Sequence, residues 1–423
     1  MHFLYTLALA IALFLAAPFF LWKGRGTGKY LHSFSQRMGR LPPSLNPGGG
    51  LSLWVHAVSV GEVLVARALI GPLRERFPQH KLFVSTTTLT GNAVARRTVT
   101  GADGFFFAPF DLPGPVGRAM EAVNPALLVL VETEIWPNLI HGARRHGARV
   151  AVVNGRLSQK SFTSYRRVRP FLRRVLAEVD LFLMQGEAHA GRLRDLGAPP
   201  ERVRVLGNIK FDATETKRIS GDLGRLLDGV PGRPLWVAGS TMPGEDEMVL
   251  AAFRHVRQHV PEAALILAPR HPERFGEVPA LVEAAGFRCL LRTRLQPGGW
   301  RNGPVVLLDT LGELAQVYSL ASVVFVGGSL VPTGGHNILE PAVAGKAVIV
   351  GPHMENFREI ADQFRAEGAL VQIGSADELA AAVVGLLNDT ERRDSIGARA
   401  RALVDRNRGA VGLTVDALAG LVA

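Results

Sequence analysis

Short, nearly continuous apolar runs alternate along most of this chain with longer segments whose apolar positions recur at helical spacing. The runs at 51–55, 82–85, 127–131, 150–153 and 181–184 predict strands. The segments at 62–77, 136–146, 164–177 and 187–196 predict the helices between them. A strand that is apolar throughout is covered on both faces, as in a parallel sheet built from βα units. At 207–234 the pattern gives way to a polar stretch with Gly and Pro, then restarts. Strands are predicted at 235–238, 264–267, 305–308, 323–326 and 347–350, and helices at 244–259, 278–285, 338–344, 376–387 and 390–404. The chain therefore reads as α/β, with two successive Rossmann-like domains facing across a cleft. Its predicted division is 1–22, 23–50, 51–206, 207–234 and 235–423. In open α/β sheets ligands sit at the carboxyl ends of the strands, so turns from strand to helix are where chemistry is expected.

The N-terminus breaks this rhythm. Residues 3–21 are apolar apart from Thr6 and Pro18, close to the ~20 residues that cross a bilayer. No Lys or Arg precedes the run, and it ends in Phe19, Phe20, Leu21 and Trp22, unlike a cleaved leader. The expectation is an uncleaved, single-pass anchor over 1–22; a buried or interface-lying helix is the competing reading. Lys23, Arg25, Lys29, Arg37 and Arg40 follow before the first acidic residue, Glu62. That bias puts the remaining chain on the cytoplasmic side of an inner membrane. Residues 41–50, rich in Pro and Gly, complete a basic linker over 23–50.

The 423 residues are 47% hydrophobic and 20% charged, which suits large folded cores. The net charge of +11 favours an anionic partner. The lone cysteine, Cys289, lies in an apolar stretch and reads as a small core residue.

Several turns carry candidate chemistry. In His56–Glu62, Gly61 permits a tight turn and Glu62 opens a helix; a general base and a plain N-terminal helix acid are equally good readings. Glu132 and Glu134 leave a buried strand just before Pro137. One is expected to be functional, with Glu132 favoured, and the other to serve the helix or solvent. Between 154 and 174, cations and aromatics occur without an acid. This patch suits a phosphorylated lipid at an anionic bilayer surface, or is a solvated helix face. Nucleic acid is disfavoured, since no nucleic-acid module is recognisable.

Lys210 in 207–212 can reach a phosphate or sit on the surface. Ser240, in the turn 238–245, offers a hydroxyl among amides that could hold a phosphate or simply cap a helix. Pro269 and Arg270 end a strand, where a guanidinium can fork onto a phosphate. The richest stretch is 325–341, with Gly327, Gly328, Gly334 and Gly335 ahead of Asn337, Ile338, Leu339 and Glu340. It reads as strand, glycine-rich loop and helix, with amides for an anion and a carboxylate for ribose hydroxyls. It is neither a Walker loop nor G-x-G-x-x-G. No Asp-x-Asp, zinc spacing or G-x-S-x-G elbow occurs, so no metal or cofactor is expected.

Taken in order, these segments resemble the 3-deoxy-D-manno-octulosonic acid (Kdo) transferase family over nearly the whole chain. They are HAVSVGEV, VETEIWPN, NGRLS, GNIKFD, AGSTMPGEDE, APRHPERF, DTLGEL and GGSLVPTGGHNILEPAVAGKAVIVGP. Where the family usually has Asn-Ala-Arg-Leu-Ser, Gly155 takes the Ala place. The resemblance implies a GT-B glycosyltransferase, metal-independent and inverting, that moves Kdo from CMP-Kdo to a lipid A precursor. It places Glu62 as base and Glu132 and Lys210 as stabilisers of the transition state. It puts Pro269, Arg270, Leu311, Gly312, Glu313, Asn337, Ile338, Leu339 and Glu340 against CMP. Two rivals stand beside it: a GT-B enzyme using a UDP-sugar, and a non-catalytic nucleotide-binding scaffold.

Overall fold

The structure is a computed structural model that describes residues 2–24, 31–212, 223, 234–296, 300 and 305–422. The chain divides into two compact units, Met1–Ala213 with Asn407–Ala423, and Thr214–Arg406. The predicted connector at 207–234 lies mostly outside the described residues.

The first unit holds a seven-stranded parallel sheet of β1 (Ser52–His56), β2 (Lys81–Thr86), β3 (Gly104–Phe107), β4 (Pro125–Val131), β5 (Arg149–Gly155), β6 (Leu181–Met184) and β7 (Val203–Val205). Their spatial order is β3-β2-β1-β4-β5-β6-β7. The apolar runs explain the burial. Leu53 and Val55 enter one core layer with Val129 and Ala151, while Trp54 points to the opposite layer with Phe83, Leu128 and Val152. Each Leu, Val or Phe among them contributes roughly 1.5–3 kcal/mol by leaving water. Strand order reverses between β1 and β4, which opens a crevice at their carboxyl ends.

The second unit repeats the plan. Its strands are β8 (Leu235–Thr241), β9 (Ala264–Pro269), β10 (Cys289–Leu291), β11 (Val305–Leu307), β12 (Val323–Val326), β13 (Ala347–Val350) and β14 (Val371–Gln372). They run parallel in the order β10-β11-β9-β8-β12-β13-β14, with the reversal between β8 and β12.

Three regions depart from expectation. The N-terminal run forms a helix, His2–Gly24, but among the described residues no helix is long and apolar enough to cross a membrane. The single-pass anchor is therefore not supported. The helix spends its polar groups on the first unit instead: the Tyr5 hydroxyl donates to Asp111 at 2.8 Å, Thr6 pairs with Asn138 at 3.2 Å, and the Tyr5 ring stacks on Phe171 at 5.7 Å. Phe3, Leu4, Leu7, Ile11, Phe14 and Leu15 stay exposed.

Residues 31–50 are also bound into the first unit rather than strung out as a linker. Leu31–Arg37 is helical, the Phe107 N–H donates to Gln36, the Arg118 guanidinium donates to the Met38 carbonyl, and Asn46 donates to the Val123 carbonyl. Residues 25–30 lie outside the described residues.

At the other end, the chain returns to the first unit. The helix Ala410–Val422 packs Ala410, Val415, Leu418 and Ala419 into the layer that holds Leu53 and Val129. The Asp212 carboxylate accepts the Gly409 and Val411 N–H groups at 2.7 and 2.6 Å and fixes the start of that helix.

Candidate functional site

In the first unit, β1 and β4 deliver carboxylates to the two sides of the strand-order reversal. After β1, a short turn leads into the helix Val60–Arg76, with Glu62 in its first turn. The Glu62 carboxylate accepts the Val58 N–H at 2.7 Å and the Ser59 hydroxyl at 2.8 Å. Burial pushes its pKa up to about 7, with the nearby Glu134 carboxylate as second cause; the Val58 and Ser59 hydrogen bonds oppose the rise and Glu132 adds a little to it. A carboxylate balanced near neutrality can take a proton at physiological pH.

After β4, Glu132 adopts φ 60°, a left-handed backbone that is costly for a side chain with a Cβ. Its carboxylate lies between two cations, Lys210 Nζ at 3.0 Å and Arg156 Nε at 3.1 Å. Glu134 has a different setting. The Trp136 indole N–H donates to it at 2.7 Å, and burial raises its pKa. The Trp136 ring in turn meets the fully buried His56 edge-on at 5.6 Å. His56 hydrogen-bonds Ser85 at 2.8 Å, and burial lowers its pKa to about 4, so the imidazole is neutral at pH 7. The sequence offered two glutamates with one role between them. Instead, Glu132 is ion-paired and Glu134 adjoins Glu62 electrostatically. Arg156, read in the sequence only as part of the basic patch, is the second partner of Glu132.

The basic patch is exposed. Lys160, Arg166, Arg167, Arg169, Arg173 and Arg174 all face solvent. The expected helix over 164–177 is two, Gln159–Arg166 and Arg169–Leu176. Pro170 has no N–H for a continuous helix but sits in the first turn of the second, where none is needed.

In the second unit the glycine-rich loop after β12 already holds an anion, and it belongs to the protein. Glu245, fully buried, accepts the N–H groups of Met242, Gly328, Ser329 and Leu330 at 2.6–3.0 Å. Those amides are unavailable to a ligand phosphate. Thr241 is similarly engaged, donating to Asp246 at 2.6 Å. Ser240 remains as a second strained position, φ 58°, at the irregularity where β8 meets β9. No sequence signal marked Glu245 as a structural plug, because an acidic first helical turn is common.

Around Ser240 the strand ends gather other candidates. Pro269 closes β9, and Arg270, exposed, donates its N–H to the Thr241 carbonyl at 2.9 Å. Gly334 and Gly335 both have positive φ, and a Cβ on Gly335 would overlap Met354. His336 is partly buried; burial first, then Arg270 and His271, lower its pKa to about 4. Tyr318, fully buried, has its pKa raised by burial and by Glu340. The sequence did not single out either residue. Ile338 and Leu339 are buried, so their side chains belong to the core and only their backbone is open to a ligand role. Asn337 accepts the Leu339 N–H and donates to Glu340 at 3.2 Å; the helix that follows spans only Leu339–Val343. Farther along, Leu311 is exposed, Gly312 has φ 87°, and Glu313 is held by Arg292 at 2.7 Å and Thr310 at 2.6 Å. Among the described residues, no group of three or more His, Cys, Asp or Glu could hold a metal ion.

Comparison with known proteins places these halves in context. A family model described as 3-deoxy-D-manno-octulosonic-acid transferase (kdotransferase) matches residues 32–213, and one described as glycosyl transferases group 1 matches 305–403. The chain is 35% identical to a 3-deoxy-D-manno-octulosonic acid transferase of Haemophilus influenzae over 372 residues, 86% of each chain. It is 35% identical to that of Bordetella pertussis over 430 residues, 98% of each. A UDP-GlcNAc 2-epimerase from Neisseria meningitidis, solved with UDP-GlcNAc, shares the fold at TM-score 0.59 and 12% identity, over 87% of this chain and 99% of its own.

Proposed function

This chain belongs to the Kdo transferase family and is a glycosyltransferase of the GT-B fold, and on that footing we propose that it transfers Kdo from CMP-Kdo to a sugar hydroxyl of a lipid A precursor, with inversion and without a metal. The observation that carries the mechanism is Glu62, buried, hydrogen-bonded and poised near neutrality.

The acceptor hydroxyl is far too weak an acid to ionise at pH 7. Ionised Glu62 takes its proton as the oxygen bonds to the anomeric carbon of Kdo. The bond from that carbon to the CMP phosphate breaks, and CMP leaves with the electron pair. Attack opposite the leaving group inverts the centre. Arg270 meets the phosphate charge, while Lys210, held by Glu132, supplies a fixed positive charge to the transition state. Ser240, Gly335, the Asn337–Glu340 segment and Leu311–Glu313 contact the nucleotide sugar. The exposed apolar side chains from Phe3 to Leu15 and the six cations between Lys160 and Arg174 seat the enzyme against anionic lipid on the cytoplasmic face of the inner membrane, where its lipid acceptor resides.

The test is incubation with CMP-Kdo and a tetraacylated lipid A precursor, with products weighed by mass spectrometry. The wild-type protein adds Kdo, and Glu62→Gln loses about 10²–10⁴-fold in kcat. Turnover of a UDP-sugar in place of CMP-Kdo, or an unimpaired Glu62→Gln variant, overturns the reading.

A further inference from the structure

The ion pair between Lys210 and Glu132 is assembled by residues to which the mechanism above gives no part. One residue before the end of β5, Asn154 has a left-handed backbone, φ 54°, and is only 1% exposed. Its carbonyl accepts the Gln185 side-chain N–H at 2.9 Å. Its side-chain oxygen accepts the Ile209 N–H at 2.9 Å. Gln185 also accepts from the Asn208 amide at 3.2 Å, and Asn208 accepts the Lys210 N–H at 3.0 Å. Two side-chain amides, Gln185 and Asn208, thus connect the Asn154 carbonyl to the Lys210 N–H, and the Asn154 side chain holds the neighbouring Ile209 N–H. The same strand end also fixes the partner, since the Glu132 N–H donates to the carbonyl of Val153 at 2.8 Å.

We propose that Asn154 is a positioning residue for glycosyl transfer: with Gln185 and Asn208, its amide sets the Lys210 ammonium against Glu132. The inference rests on the function proposed above. Asparagine tolerates a left-handed backbone, which by itself would explain the residue type. It does not explain the buried side chain or its bond to Ile209, next to Lys210. The Ile209 N–H also fixes which way the amide faces, because only the oxygen can accept it. The amide nitrogen has no hydrogen-bond partner among the described residues, so the site keeps an asparagine with half its bonding unused.

Glycine separates the two explanations. Asn154→Gly keeps φ 54° without strain and removes only the side chain. With the full chain, CMP-Kdo and the lipid acceptor, kcat is expected to fall roughly 10- to 100-fold, with KM for both substrates nearly unchanged. Because Asn154 acts through Lys210, the double variant Asn154→Gly/Lys210→Ala is expected to be no slower than Lys210→Ala alone. Asn208→Ala, which cuts the last link while leaving the β5 backbone intact, carries the same kcat expectation if Asn154→Gly does not fold. Wild-type kcat in Asn154→Gly or Asn208→Ala, losses at 154 and 210 that multiply, or a fully active Lys210→Ala overturns the proposal. A wild-type enzyme that makes no Kdo product sinks the function reading instead.

Discussion

Three glutamates of the first unit, Glu62, Glu132 and Glu134, are each set in different surroundings. Glu62 has carried its proton to about pH 7, from an ordinary value of 4.5. Between those two pH values the folded chain holds a proton that the unfolded chain has released, so the stability this group contributes falls as pH rises through that window. On the proposed mechanism, that cost accompanies a base of the right strength. Activity is expected to rise with pH through about 7 as Glu62 ionises. Glu134 is the second cause of the shift, after burial, so Glu134→Gln should move this limb of the kcat/KM profile to lower pH without returning it to 4.5. A pH–rate profile that stays where it is would remove Glu134 from the account. The sequence made both glutamates visible, because they leave an apolar strand ahead of a proline. It could not say which would be ion-paired. That depends on Arg156 and Lys210, 24 and 78 positions beyond Glu132, arriving at its carboxylate.

At the scale of elements, the strands that bear the site were the most legible. β1, β4, β8, β9 and β12 are continuous apolar runs because both of their faces are covered. β3, β7, β10 and β14 went unread. They are short strands near or at the sheet margins, and Val371–Gln372 pairs through only two residues. The glycine-rich loop was legible as a loop but not in its chemistry. Its glycines let amides converge, and the sequence alone does not tell a ligand phosphate from the carboxylate of Glu245. Glu245→Gln turns one acceptor oxygen into a donor facing buried N–H groups. It should cost about 2–5 kcal/mol of stability, seen as a lower urea midpoint. A variant as stable as wild type would show that those amides do not depend on the carboxylate.

For the molecule as a whole, the apolar pattern indicated two α/β units and the net charge an anionic partner, but not the path of the chain. The last helix carries an unremarkable apolar pattern that fits the second unit as readily as the first. What assigns it is long-range: Leu418 packs in the layer of β1, and Asp212 grips Gly409 and Val411. Asp212→Ala removes that grip. It should destabilise the first unit by about 0.5–2 kcal/mol, as the loss of a helix cap does. Faster hydrogen exchange over 410–422 than over the second unit would register it; unchanged protection there would show that packing alone holds the helix.

That returning helix also sets an order of events in the cell. A ribosome makes the sheet of the first unit early, yet a segment that covers part of it is translated only after the whole of the second unit. Until that segment emerges, the apolar trough meant for Val415 and Leu418 has no native occupant. A nascent chain stalled anywhere before position 410 would present that trough to chaperones.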